Sequence, residues 1–221
     1  MTFSITAKCK ETGQFGVAVS TKVPAVGALC PFTAPKAGAV ATQSFVNPYI
    51  GINGVRYLNE GFSAEKVKEK VLKEDAQPAI RQFCIVDKDG NSAAFSGDEC
   101  EGWYGHREGD HFAVAGSMLT GPETIQAMYD SFLETEGTPL SERLVIALQA
   151  GQDEGGDKRG RQSAAVRVSD TEEYPLVDLR VDEHPDPVKE LYRIHQVAEE
   201  ELFPFVGDLP TKDNPKGNFD S

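Results

Sequence analysis

Long apolar runs are missing from this 221-residue chain. No stretch approaches the roughly 18–20 apolar residues that a membrane-spanning helix needs. The start also lacks a basic segment followed by an apolar one, so no secretory leader is read and a cytoplasmic protein is expected. Basic residues are scarce: 22 Lys and Arg face 35 Asp and Glu, a formal charge of −13. Phosphate backbones and anionic membranes need surplus cations, so neither nucleic acid nor membrane is expected as a partner. The four cysteines, Cys9, Cys30, Cys84 and Cys100, form no C-x-x-C pair, which removes zinc ribbons and dithiol redox motifs. His106, His111 and His195 have no spacing that suggests a zinc trio. The loop at 155–163 is glycine-rich and basic, but G-x-x-x-x-G-K-[ST] is absent and it is no phosphate-binding P-loop.

What remains is an ordinary soluble composition, 39% apolar and 26% charged, long enough for one sizeable core. Alternating polar and apolar residues predict strands at 2–9 and 15–21, with turn chemistry at Glu11-Thr12-Gly13 between them. A second pair is predicted at 27–33 and 38–45. Helices follow at 48–60 and 64–74, the latter capped by Ser63. Strands return at 81–86 and 92–95 around an Asp-Gly turn, then at 103–106 and 111–115. Helices are read at 122–134 and from Ser141 to about Ala150, where Gly151 is taken as the stop. A last strand pair at 162–168 and 175–181 precedes an amphipathic helix at 187–202. Strand runs alternating with helix pairs, without regular βαβ units, favour an antiparallel α+β sandwich. A single domain over 1–206 is expected, with 207–221 a polar, poorly ordered tail.

The first residues carry the sharpest chemistry. Methionine aminopeptidases act when the second residue is small, so trimming Met1 would expose Thr2. An N-terminal threonine holds a hydroxyl nucleophile and an α-amino base in one residue, the amine having an ordinary pKa of about 7.7–8.0. Many proteins begin Met-Thr without using either group.

The order of elements behind that threonine resembles the N-terminal-nucleophile (Ntn) hydrolases, and their proteasome-β branch in particular. Segments 2–7, 16–22, 38–48, 155–165 and 178–187 also resemble a bacterial and archaeal family known as domain of unknown function 1028. The resemblance implies a four-layer αββα sandwich of two antiparallel sheets. It implies that Thr2 attacks an amide carbonyl, that Lys22 favours the neutral amine, and that Ser117, Asp157 and Ser163 support it. In that arrangement the backbone N–H of Ser44 or Phe45 makes the oxyanion hole, and Gln43 or Asn47 contacts substrate. Turn and cap chemistry before Pro48 explains the same residues equally well.

Arg159 and Arg161 are read as substrate-anion binders, since guanidinium forks suit carboxylates, although neighbouring acids could simply neutralise them. Asp178, Arg180 and Asp182 share one strand face and suit a salt-bridge ladder or a dimer contact better than a metal site. The expected function is an amide hydrolase for a small-molecule or peptide substrate, without metal or organic cofactor and as a homodimer. Two other readings stay open: a catalytically silent ligand-binding or assembly module, and chemistry centred on Gln43, Arg159 and Arg161.

Overall fold

The computed structural model describes residues 2–219. Met1, whose removal the sequence reading requires, lies outside them, as do the last two residues of the expected tail.

Ten strands form two antiparallel sheets. The larger takes β1 (Thr2–Lys8), β2 (Phe15–Thr21), β7 (Trp103–Gly109), β8 (Phe112–Leu119), β9 (Ser163–Ser169) and β10 (Val177–Val181), in the order β10-β9-β2-β1-β8-β7. The smaller takes β3 (Pro31–Ala34), β4 (Gly38–Ser44), β5 (Arg81–Asp87) and β6 (Ser92–Ser96), in sequence order. Helices α1 (Pro48–Asn59) and α2 (Ala64–Glu74) cover the outside of the small sheet. Helices α3 (Glu123–Glu134), α4 (Leu140–Asp153) and α5 (Pro187–Glu201) cover the outside of the large one. The inner faces of the two sheets pack on each other, which completes a four-layer αββα sandwich.

Side-chain alternation explains the layers. On β1, Phe3, Ile5 and Ala7 join Leu144, Leu148 and Met128 in the helix-covered core. Phe15, Val17 and Val19 of β2 point the other way and meet Ala39, Ala41 and Val86 of the small sheet. A third apolar cluster, around Val40, Phe83 and Ile85, seals α1 and α2 onto the small sheet.

Several boundaries differ from the sequence reading. Val26–Ala28 is a short 3₁₀ turn rather than the start of a strand. Ala25 takes a left-handed φ of 56° there, and Gly27 lies so close to Ala165 and the Arg180 stem that no side chain fits. Strand β8 continues four residues past Ala115 and so includes Ser117. Gly151 does not end α4, which runs to Asp153. A Cβ at 151 would fall 2.6 Å from Met128 Cγ, so this glycine lets α3 and α4 approach closely. Past α5, a further helix, α6 (Phe203–Asp208), forms. Beyond it the Tyr174 hydroxyl donates to the Pro210 carbonyl, and Asn214 closes a turn with Thr211.

Candidate functional site

The start of β1 lies at one end of the sandwich, where β2 and β8 flank it. Cross-strand register pairs Thr2 with Thr21, and Thr21 with Ser163 on β9. Because Phe3 pairs with Gly116, Ser117 stands one step further along, opposite Thr2. Four hydroxyl residues, Ser117, Thr2, Thr21 and Ser163, thus form one row on the inner face of the large sheet. All four are buried, Thr2 retaining 6% exposure.

Their bonding separates them. Thr2 Oγ1 donates to Thr21 Oγ1 at 3.0 Å. Ser117 Oγ is buried with no hydrogen-bond partner, a costly state for a hydroxyl unless water or a substrate group reaches it. Ser163 Oγ donates to the Val23 carbonyl at 2.6 Å and accepts the Val26 N–H at 3.1 Å. Ser163 therefore clips the 23–26 turn onto β9.

Behind the row lies a buried polar network joining the two sheets. Gln43 Nε2 donates to the Thr2 carbonyl at 3.3 Å and to Gln82 Oε1 at 2.8 Å, and Gln43 Oε1 accepts from Ser4 Oγ at 2.6 Å. Gln82 Nε2 in turn donates to the Gly116 carbonyl at 2.9 Å and to Ser96 Oγ at 2.8 Å. Gln43 thus grips the backbone of Thr2 and, through Gln82, ties it to β8. The strand-two end with Thr21 lies beside Thr2 as the resemblance implies, whereas the sequence reading missed Gln82. The available signal was parity: Gln82 shares its face with Cys84 and Val86, inward positions of a strand buried on both sides.

The charged candidates are occupied elsewhere. Lys22 is exposed; its Nζ donates to the Arg161 carbonyl at 3.1 Å, and its backbone N–H reaches Asp157 Oδ2 at 3.2 Å. Asp157, 3% exposed, also takes Arg159 through Nε at 3.1 Å, Nη2 at 2.7 Å and the backbone N–H at 2.9 Å. Arg161 Nη1 pairs with Asp186 at 2.9 Å, both side chains more than a third exposed. Asn47 caps α1 through the Tyr49 N–H and donates to Asp75 Oδ2 at 2.6 Å. Burial pushes the Asp75 carboxyl up, but bonds from Asn47, the Gln77 N–H and Arg81 outweigh it and hold the pKa below the ordinary value. Ser44 adopts a left-handed φ of 68°, an unusual backbone for a non-glycine at the β4–α1 corner.

All four cysteines are buried, and burial pushes the Cys30 thiol up to about 12 and raises Cys84 as well. Among the described residues no group of three or more His, Cys, Asp or Glu side chains is placed to hold a metal ion. Asp178 instead pairs across strands with Arg167 at 3.2 Å, and Arg180 with Asp182 at 3.0 Å.

A model of the family of unknown function DUF1028 matches residues 2–191. The chain belongs to that family. A crystal structure of a DUF1028 protein from Silicibacter pomeroyi is similar along the whole length, with 29% identity, 99% of each chain covered and a TM-score of 0.89. Anbu, an ancestral β-subunit from Yersinia bercovieri, aligns over 95% of this chain and 98% of its own, at 14% identity and a TM-score of 0.39. That value is too low to bear on the fold, which rests on the strand pairing and helix packing described above. No curated protein matches the chain. Among the described residues, no helix of this DUF1028 protein is long and apolar enough to cross a membrane.

Proposed function

We propose that this DUF1028 protein is an amide hydrolase of the N-terminal-nucleophile type, acting on a small amide or peptide-derived substrate after loss of Met1. The observation that carries the reading is the placing of the Thr2 hydroxyl, bonded to Thr21 and set opposite a buried, unpartnered Ser117 hydroxyl. The free α-amine of Thr2 would take the Oγ proton as Oγ bonds to the substrate carbonyl carbon. The C–N bond then breaks, the leaving nitrogen receives that proton, and water hydrolyses the resulting ester to return Thr2. In this reading Ser117 steadies the amine and Gln43 fixes the Thr2 carbonyl. Lys22 acts through its backbone, since its ammonium is held by Arg161. Asp157 and Ser163 shape the surrounding turns.

A second reading, a silent ligand-binding module on the same fold, is favoured by one feature. The Thr2 hydroxyl is buried and bonded, and the Arg159 fork is folded onto Asp157. The two readings separate in a labelling experiment. Protein lacking Met1 is treated with a β-lactone electrophile and digested for mass spectrometry. Hydrolase chemistry gives an acyl adduct on Thr2 that Thr2→Ala abolishes, whereas absence of any adduct on Thr2 supports the silent module.

A further inference from the structure

A cleft of about 640 Å³ lies away from Thr2, on the helical face of the large sheet, where α3, α4 and α5 meet Arg161. That volume suits a small organic ligand. Ile146, Ala150 and Tyr192 supply apolar wall, while Lys189 and Arg161 bring cations and Asp153 and Asp186 bring anions. Arg161 and Asp186 hold each other at 2.9 Å, but both side chains are more than a third exposed, so a ligand competes with a weak bond. Lys189 is exposed and forms no ion pair among the described residues. Asp153 bonds only the neutral amide of Gln149, at 2.7 Å, which leaves its charge unbalanced there.

A cleft with two charges of each sign selects against strongly charged ligands of either sign. It suits one molecule carrying both charges and an apolar side chain. We infer that this cleft is a binding site for small zwitterions of the amino-acid or dipeptide class, the carboxylate taken by Lys189, the ammonium by Asp153 and the side chain by the Ile146–Tyr192 wall. The site does not depend on the chemistry of Thr2. It does adjoin Thr2 through the backbone, because Arg161 carries Lys22 on its carbonyl and the next residue, Gln162, donates its N–H to the Thr21 carbonyl.

The test uses the full chain and glycyl-leucine as probe, followed by isothermal titration and by amide chemical shifts of α4 and α5. Saturable binding is expected, with shifts confined to these elements. Lys189→Ala and Asp153→Ala should each weaken it by about tenfold, the scale of one charge-assisted hydrogen bond. N-acetyl-glycyl-leucinamide, which has lost both charges, should not bind, and Thr2→Ala should bind as wild type does. Both exposed substitutions should leave the melting temperature unchanged, which separates lost binding from lost folding. The inference is overturned by an absence of saturable binding at tens of millimolar probe, by equal binding of the blocked probe, or by variants as tight as wild type. Failure of the Thr2 labelling experiment leaves this result untouched, so the two proposals fall separately.

Discussion

The two faces of β1 follow opposite rules. Outward, Phe3, Ile5 and Ala7 are fully buried in a dense apolar core under α3 and α4. Inward, Thr2 and Ser4 are also buried, yet their surroundings are amides and hydroxyls from five strands. Apolar residues of similar size would stabilise the inner face at least as well, since buried polar groups gain little over hydrophobic packing. A sandwich end built of polar side chains is what the proposed Thr2 chemistry requires and what stability alone does not. Further along, the same inner face reverts to Val17, Val19, Ala39 and Ala41, so the polar character belongs to one end of the sandwich.

Substitution on each face sharpens this contrast. Phe3→Ala should produce the largest loss, about 3–5 kcal/mol of unfolding free energy in urea, from lost burial and the cavity left behind. Gln82→Ala should cost less, about 1–3 kcal/mol, because it removes the Gln82 acceptor of Gln43 and the side-chain donor to the Gly116 carbonyl. Its diagnostic effect lies elsewhere: amide exchange should rise at Thr2–Ser4 and at Gly116 while the helix-side core stays protected. Equal loosening of both faces would erase the distinction between them. Ser4→Ala should be milder still, about 1 kcal/mol, since Gln43 keeps its bonds to Thr2 and Gln82.

The helix-side layer has its own titratable group. His195 of α5 is 1% exposed, its Nε2 lies 2.9 Å from Ser141 Oγ, and burial holds its pKa below the ordinary value despite Glu199 and Glu142 nearby. A buried neutral ring refuses a proton that the unfolded chain accepts. Stability should therefore be complete above the unfolded value near 6.5 and fall as the pH drops toward the folded one. Urea midpoints measured between pH 5 and 8 should show that slope in wild type and a shallower one in His195→Gln. Parallel slopes would remove His195 as the cause.

Much of this architecture was legible in the sequence because local signals agreed with tertiary ones. Strand β2 and helix α2 were bounded correctly, one by its Val and Ala alternation between Gly13 and the charged Lys22, the other by the Ser63 cap. One misreading shows why. Gly151 reads as a stop, yet it lies inside α4, where Met128 of α3 fills the space a side chain would take. Packing that close depends on residues distant in sequence, and local reading has no access to it. The candidate site divides in the same way. The row position of Thr2 and Ser117 follows from strand order, whereas the attachments of Lys22, Arg159 and Asn47 depend on partners 28 to 139 positions away or on a local salt bridge.

The central claim is that the polar end of the sandwich exists to present Thr2 as a free N-terminal nucleophile. Intact-mass measurement of the protein purified from its native host tests this most directly. The account predicts a mass lower than that of the full chain by one methionine residue, with Thr2 first. A native protein that retains Met1 would contradict it, because the amine required as base would be locked in a peptide bond.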